Sequence, residues 1–159
     1  MNMRSLVYVC GMTLLLTACK SVEKVIKTTV VERVVDYGSP RVEQRLVNDQ
    51  VFHIGEYSTD KTYGYTEENP IMVGGGMEGP KNQVRFLNAL AGPQGEQVSY
   101  RRLGSCCPFR TKNGMLGDSG MLDRYEITYE SLRTPIVLYL NMYDSDVLKA
   151  PVGFTLRQL

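Results

Sequence analysis

Alternating apolar and polar positions predict strands in the second half of the chain. Residues 122–130 alternate, with Leu122 and Arg124 on one side and Tyr125 and Ile127 on the other. A continuous apolar run at 134–143, with Pro135 near its start, is typical of a central strand buried on both faces. Shorter strands are predicted at 71–73, 97–103 and 152–158.

One helix is predicted at about residues 81–91. Pro80 suits the first helical turn, Val84 and Leu87 give an apolar side, and Gly92-Pro93 ends the helix. A helix followed by consecutive strands indicates an α+β fold. We expect a small, curved, antiparallel sheet of about four to six strands with the helix packed on one face.

The start of the chain has the pattern of an export signal. Arg4 supplies a positive charge, and the apolar stretch after it is shorter than the roughly 20 residues that span a membrane. The stretch ends in Leu16-Thr17-Ala18-Cys19, which resembles the lipobox of bacterial lipoproteins. The resemblance implies a signal peptide at 1–18 and acyl chains such as palmitate on Cys19, enough for stable anchoring. Lys20 favours the outer membrane, on its periplasmic or outer face.

The remaining residues are predicted as a lipid-anchored tether at 19–50 and a single domain at 51–159. A chain of 159 residues has no room for a second core. In the tether, Val22, Ile26 and Val30 follow a helical spacing of four, whereas the β-branched content favours a strand. The sequence leaves both alternatives open.

Composition and charge limit the partners. Lys and Arg number 18 against 17 Asp and Glu, so the chain has no general attraction for nucleic acid. Hydrophobic residues at 43% and charged residues at 22% are ordinary for a globular protein. The expected partners are the membrane, through the lipid, and an envelope protein or glycan.

Cys106 and Cys107 are the cysteines that remain after Cys10 leaves with the leader and Cys19 is lipidated. Adjacent Cα atoms are about 3.8 Å apart, below the usual disulfide range of about 4.4–6.8 Å, so a bond between them would close a tight ring before Pro108. The sequence leaves three alternatives: this structural ring, a redox-active thiol site, and two thiols on opposite sides of a strand end.

Other candidate sites are weaker. His53 is the only histidine and would complete a Cys₂His zinc set with both thiols, but neighbouring strand residues point apart, so no metal or cofactor is predicted. Lys81, Arg101 and Arg102 are candidates for binding an anionic glycan or lipid phosphate. No catalytic residue is assigned, because most of the carboxylates are expected to be solvated; those weighed are Asp118, Asp123, Glu126 and Asp144.

Residues 55–156 resemble small envelope lipoproteins of Bacteroidota. The resemblance is carried by residues 63–71, 79–90, 102–109, 138–143 and 151–154, and its most distinctive part is Gly104-Ser105-Cys106-Cys107-Pro108-Phe109. Proteins of this group often carry the label 2-dehydro-3-deoxyphosphooctonate aldolase. That enzyme is a cytoplasmic barrel, and such barrels need about 200 or more residues, so no catalytic residues are transferred to this chain.

These observations predict a bacterial envelope lipoprotein. Its domain is expected to bind an envelope component, or to have a structural role, without catalysis. The alternative is a small envelope enzyme or redox-active thiol protein centred on Cys106 and Cys107.

Overall fold

The computed structural model describes residues 34–158, which form many strands and one α-helix. No helix in this part of the chain is long and apolar enough to cross a membrane. In chain order the elements are β1 (Val35–Asp36), β2 (Leu46–Asn48), β3 (Val51–Phe52), β4 (Glu56–Tyr57), β5 (Ile71–Met72), a 3₁₀ turn (Gly76–Glu78), α1 (Gly79–Asn88), β6 (Leu90–Ala91), β7 (Ser99–Arg110), β8 (Ser119–Thr128), β9 (Ile136–Asn141), β10 (Lys149–Ala150) and β11 (Thr155–Leu156).

The main sheet has five strands in the order β1-β7-β8-β9-β5. The α+β class is confirmed, and β7, β8 and β9 are antiparallel as predicted. The prediction of a purely antiparallel sheet is wrong at the two edges, where β1 and β5 run parallel to their neighbours. Both edge strands reach the sheet through long connections rather than hairpins, which allows parallel pairing. The predicted strand at 134–143 corresponds to β9, an interior strand between β8 and β5 whose residues are buried or half-buried, and β8 lies in the middle of the sheet.

The helix begins and ends earlier than predicted. It runs from Gly79 to Asn88, with Pro80 in its first turn. Leu90 and Ala91, predicted as its last turn, instead form β6 and pair with β11 near the C-terminus. Local patterning could not reveal this pairing, because its partner lies more than 60 residues away. For the predicted strand at 152–158, the structure has only the two residues of β11.

The core lies between α1 and one face of β8 and β9. Phe86 and Leu87 of the helix belong to one buried cluster with Ile127, Leu138 and Leu140, and each of these side chains is at most 1% exposed. Burying a side chain of this size contributes roughly 1.5–3 kcal/mol. Because α1 has only 10 residues, packing rather than helix propensity holds it in place.

β7 is longer than the predicted strand at 97–103 and continues through the cysteines. Its pairing with β8 shifts register twice, between Arg102 and Gly104 and between Cys106 and Pro108. Gly104 has a φ of +121°, a conformation that side chains other than glycine rarely adopt. The cysteine motif therefore lies inside an irregular strand, not in a loop after it.

Part of the predicted tether belongs to the folded domain. β1 pairs with Phe109 and Arg110 of β7, and β2 pairs with β3. Residues 34–50 are thus part of the fold, whereas the predicted signal peptide, Cys19 and the rest of the tether lie outside the described residues.

Candidate functional site

The cysteine motif forms a bulge in β7. Cys106 lies opposite Leu122 of β8, and Cys107 is the extra residue, with a φ of +53° in the left-handed region. A disulfide joins the two sulfurs across a Cα–Cα distance of 3.8 Å, and both residues are partly exposed. Of the three alternatives that the sequence left open, the structure has the ring and not two separate thiols.

Beside the disulfide, three polar side chains bind Asp123 of β8, and a fourth, Tyr125, binds one of these three. Oδ1 of Asp123 accepts hydrogen bonds from Arg102 at 2.6 Å and Ser105 at 2.7 Å, and Oδ2 accepts one from Gln83 of α1 at 2.9 Å. The hydroxyl of Tyr125 donates to Oε1 of Gln83 at 2.9 Å. The carboxylate is 6% exposed and fully partnered, so this Asp123 network ties α1 to β7 and β8.

The network keeps Asp123 ionised. Burial raises its pKa, but the hydrogen bonds from Arg102, Ser105 and Gln83, together with the charge of Arg102, outweigh that effect and bring the pKa below its ordinary 3.8. The same hydrogen bond raises the pKa of Arg102. A carboxylate with a lowered pKa is a weak general base, so the arrangement positions Ser105 without activating it as a nucleophile.

The three predicted anion-binding residues do not converge. Arg101 and Arg102 are neighbours on β7, so their side chains leave opposite faces of the sheet. Arg101 pairs with Glu126 at 2.9 Å, while Arg102 is held in the Asp123 network. Lys81 lies on α1, where its Nζ is 3.9 Å from Glu78. Each cation already has a carboxylate partner, so the three do not form a shared anion site.

The zinc set weighed in the sequence is not assembled. The sulfurs of Cys106 and Cys107 are joined to each other, and His53 follows β3 as an exposed residue. Within residues 34–158, no group of three or more His, Cys, Asp or Glu is arranged to hold a metal ion.

A second buried carboxylate was not expected from the sequence. Asp144 is 0% exposed; its Oδ1 accepts hydrogen bonds from Thr111 and Asn113, and its Oδ2 accepts one from Asn141 at 2.8 Å. These contacts fix the loop after β7 to the turn after β9. The expectation of a solvated carboxylate is therefore wrong for Asp144, as it is for Asp123. Burial of both carboxylates is offset by hydrogen-bond donors, most of which come from distant segments of the chain.

A polar groove lies at the C-terminal end of α1. Its walls are the turn at residues 93–98, the tail at residues 155–158, and the side chains of Tyr57, Asn88 and Tyr100. The volume is about 1020 Å³, at the upper end of the roughly 300–1,000 Å³ of small-molecule sites. We refer to this cavity as the polar groove.

The polar groove was hard to predict from the sequence. Gly92-Pro93-Gln94-Gly95 reads as a turn, which is correct, but nothing local brings that turn next to Arg157. The pairing of β6 with β11 does so, and a hydrogen bond from the backbone N–H of Arg157 to the carbonyl of Ala89 extends it. The signal that was available is the concentration of Gln and Glu in a turn after a helix.

Comparisons of the chain with protein-family models, with curated proteins and with solved structures give no match. Three features of the described residues bear on its function: the disulfide bulge, the Asp123 network and the polar groove.

Proposed function

We propose that this protein is a bacterial envelope lipoprotein, anchored to the outer membrane by acyl chains on Cys19. Its folded domain binds an envelope protein or glycan, or has a structural role, without catalysis. The observation that carries the proposal is Leu16-Thr17-Ala18-Cys19 at the end of a leader that starts with a positive charge at Arg4. A lipid on a cysteine at that point holds the domain at a membrane without a spanning helix.

The disulfide supports an exported protein. Disulfides persist in oxidising compartments such as the bacterial periplasm and the cell surface, and are rare in the cytosol. Cys106 and Cys107 are partly exposed, so cytosolic reductants would have access to them. A compartment outside the cytosol is consistent with the bond between them.

The polar groove supports a binding role. Concave sites with a few fixed polar groups are the usual places where proteins hold ligands. Within the described residues, the polar atoms of the Asp123 network join segments of the fold, and so do those of Asp144 and the side chains that bind it. The polar groove instead leaves Gln94, Gln97 and Gln158 exposed beside a cavity.

Lipid labelling tests the anchor. Cells of a Gram-negative host producing the full-length protein are fed an alkyne-tagged palmitate, and the protein is purified and coupled to a fluorophore. We expect labelling of the wild type, with recovery in the outer-membrane fraction, and loss of both in Cys19→Ser. Cys10→Ser is the matched control and keeps the label, because that cysteine leaves with the leader. Equal labelling of wild type and Cys19→Ser would refute the anchor.

A redox-active thiol role is the second candidate, favoured by the position of the disulfide. The ring lies in a bulge, is partly exposed, and includes a non-glycine residue with φ of +53°, a conformation that costs roughly 1–2 kcal/mol. In such a role the disulfide takes two electrons and two protons from a dithiol of the envelope, giving thiols on Cys106 and Cys107 and a disulfide in the donor.

Intact mass with thiol alkylation tests this candidate. The native protein should take up no alkyl group before reduction, and two after treatment with millimolar dithiothreitol without denaturant. The control is Cys106→Ser/Cys107→Ser, which should gain none under either condition. A disulfide that resists dithiothreitol until the protein is unfolded would rule out the redox role and leave the ring as a structural element.

A further inference from the structure

The polar groove has a fixed framework. The N–H of Gly92 donates to the carbonyl of Glu96 at 2.8 Å, and the N–H of Gly95 donates to the carbonyl of Gly92 at 2.9 Å. The hydroxyl of Thr155 also donates to the carbonyl of Gly92. These bonds hold the turn against the C-terminal strand β11. A ligand would therefore meet a shape that is already formed, with little ordering cost.

The exposed polar side chains of the groove are mostly amides. Gln94, Gln97 and Gln158 are exposed and line the cavity. An amide offers both donors and acceptors, which suits a hydroxyl group, since a hydroxyl also donates and accepts. Neighbouring ring hydroxyls of a sugar present this combination repeatedly along a chain.

Two tyrosines give the groove apolar surface. Tyr57 is a large side chain at the edge of the fold, and it is 57% exposed. The hydroxyl of Tyr100 donates to Oδ1 of Asn88 at 2.8 Å, and Nδ2 of Asn88 donates to the carbonyl of Gln50, so the ring is fixed in place. A tyrosine combines a flat apolar ring with a polar tip, which matches the apolar C–H face and the hydroxyl edge of a pyranose.

The charges in the groove nearly cancel. Among the described residues that line the groove, Glu96 and Arg157 are the ones that carry a full charge at neutral pH. Two hydrogen bonds lower the pKa of Glu96 and keep it ionised; the one from the Ser131 hydroxyl has the larger effect, and the one from the Gln94 backbone N–H the smaller. A polyanion would meet one cation and one carboxylate among these described residues, so they give it no net attraction.

We propose that the polar groove binds a neutral oligosaccharide. This inference rests on the proposed binding function and names the ligand class for it. Tyr57 and Tyr100 supply the stacking surfaces, and Gln94, Gln97 and Gln158 hydrogen-bond the hydroxyls.

The test uses the full lipoprotein extracted with a polyoxyethylene detergent, because alkyl glucosides would compete for the site. Calorimetric titrations use three neutral probes: cellotetraose, mannotetraose and the tetramer of N-acetylglucosamine. We expect millimolar or tighter binding of at least one probe, weakened at least tenfold by Tyr57→Ala and about threefold to tenfold by Gln97→Ala. Leu116→Ala, at a side chain 94% exposed outside the groove, should bind as the wild type does.

Circular dichroism and thermal melts check that each variant folds. If Tyr57→Ala does not fold, Gln97→Ala is the variant that tests the groove. Absence of binding to all three probes overturns the proposal, and so does binding that neither groove variant changes. A photo-crosslinker placed at Gln97 in cells distinguishes failure of the saccharide proposal from failure of the binding function. Crosslinking to a protein together with no glycan binding refutes the saccharide ligand but leaves the binding function in place. Failure of Cys19 labelling would instead refute the anchor.

Discussion

Replacing Asp123 by Asn should destabilise the domain by about 2 kcal/mol. The carboxylate accepts three hydrogen bonds, and bonds to a charged group contribute roughly 1.5–3 kcal/mol each. Two effects make the loss of stability smaller than the sum of these three contributions. Asn keeps the shape and one acceptor, and the side chain of Arg102 is 49% exposed, so water replaces part of its lost partner. What remains is a buried amide whose NH₂ group faces the donor of either Arg102 or Gln83.

Urea unfolding followed by far-ultraviolet circular dichroism measures this loss. The chain has no Trp, so tyrosine fluorescence provides the second probe. Asp118→Asn, at an exposed position in the loop before β8, is the matched control and should stay within about 0.5 kcal/mol of the wild type. If Asp123→Asn changes the free energy of unfolding no more than this control does, the assigned role of the network is wrong.

The pH dependence gives an independent check. The pKa of Asp123 is lower in the folded protein than its ordinary 3.8, so the unfolded chain binds the proton more tightly. The stabilisation is therefore complete above about pH 4 and is lost as the pH falls through the folded pKa. Between pH 5 and pH 2, the wild type should lose more stability than Asp123→Asn does. Parallel curves would refute the lowered pKa.

Three further changes test other parts of the fold. Asp144→Ala should cost about 3 kcal/mol in urea unfolding, because it leaves buried donors unpaired, and a loss under 1 kcal/mol would contradict this. Gly79→Ala should cost roughly 1–3 kcal/mol, since its Cβ would lie 2.6 Å from Cβ of Met142, whereas Gly55→Ala, with 3.7 Å to its nearest atom, should be tolerated. Burial raises the pKa of Tyr63 to about 12, so Tyr63→Phe should remove one late phenol from an ultraviolet titration. The wild type should lose stability from Tyr63 as the pH rises from 10 to 12, and an unchanged late phase in the variant would refute the assignment.

Local patterns sufficed for the centre of the sheet and for the existence of the helix. The alternation at 122–130 and the apolar run at 134–143 correspond to β8 and β9, and Pro80 lies in the first turn of α1. These signals are local because a strand face or a helix start is set by a few neighbouring residues.

The other features depend on contacts between distant segments. Val35 reads as part of a tether until its pairing with Phe109 is known, and Leu90 reads as helix until it pairs with Leu156. In the same way, the sequence alone indicates that Asp123 is a solvated strand residue. In the structure it accepts a hydrogen bond from Gln83, which lies 40 residues away in the chain. Sequence reasoning found the cysteine motif because it is contiguous, and missed the polar groove because it is not.

The disulfide bulge and the polar groove share one framework, and this decides which variants test which proposal. Ser105, next to Cys106, bonds Asp123, and Gln83 links Asp123 to Tyr125. The ring of Tyr125 stands edge-on to Tyr100, which lines the groove, at a centroid distance of 6.3 Å. A change at Asp123 therefore acts on both features through packing, and a loss of glycan binding in such a variant would say nothing about direct contact. Tyr57 and Gln97 line the groove as exposed residues, and neither takes part in these contacts. Their replacement should therefore test the ligand site without disturbing the Asp123 network.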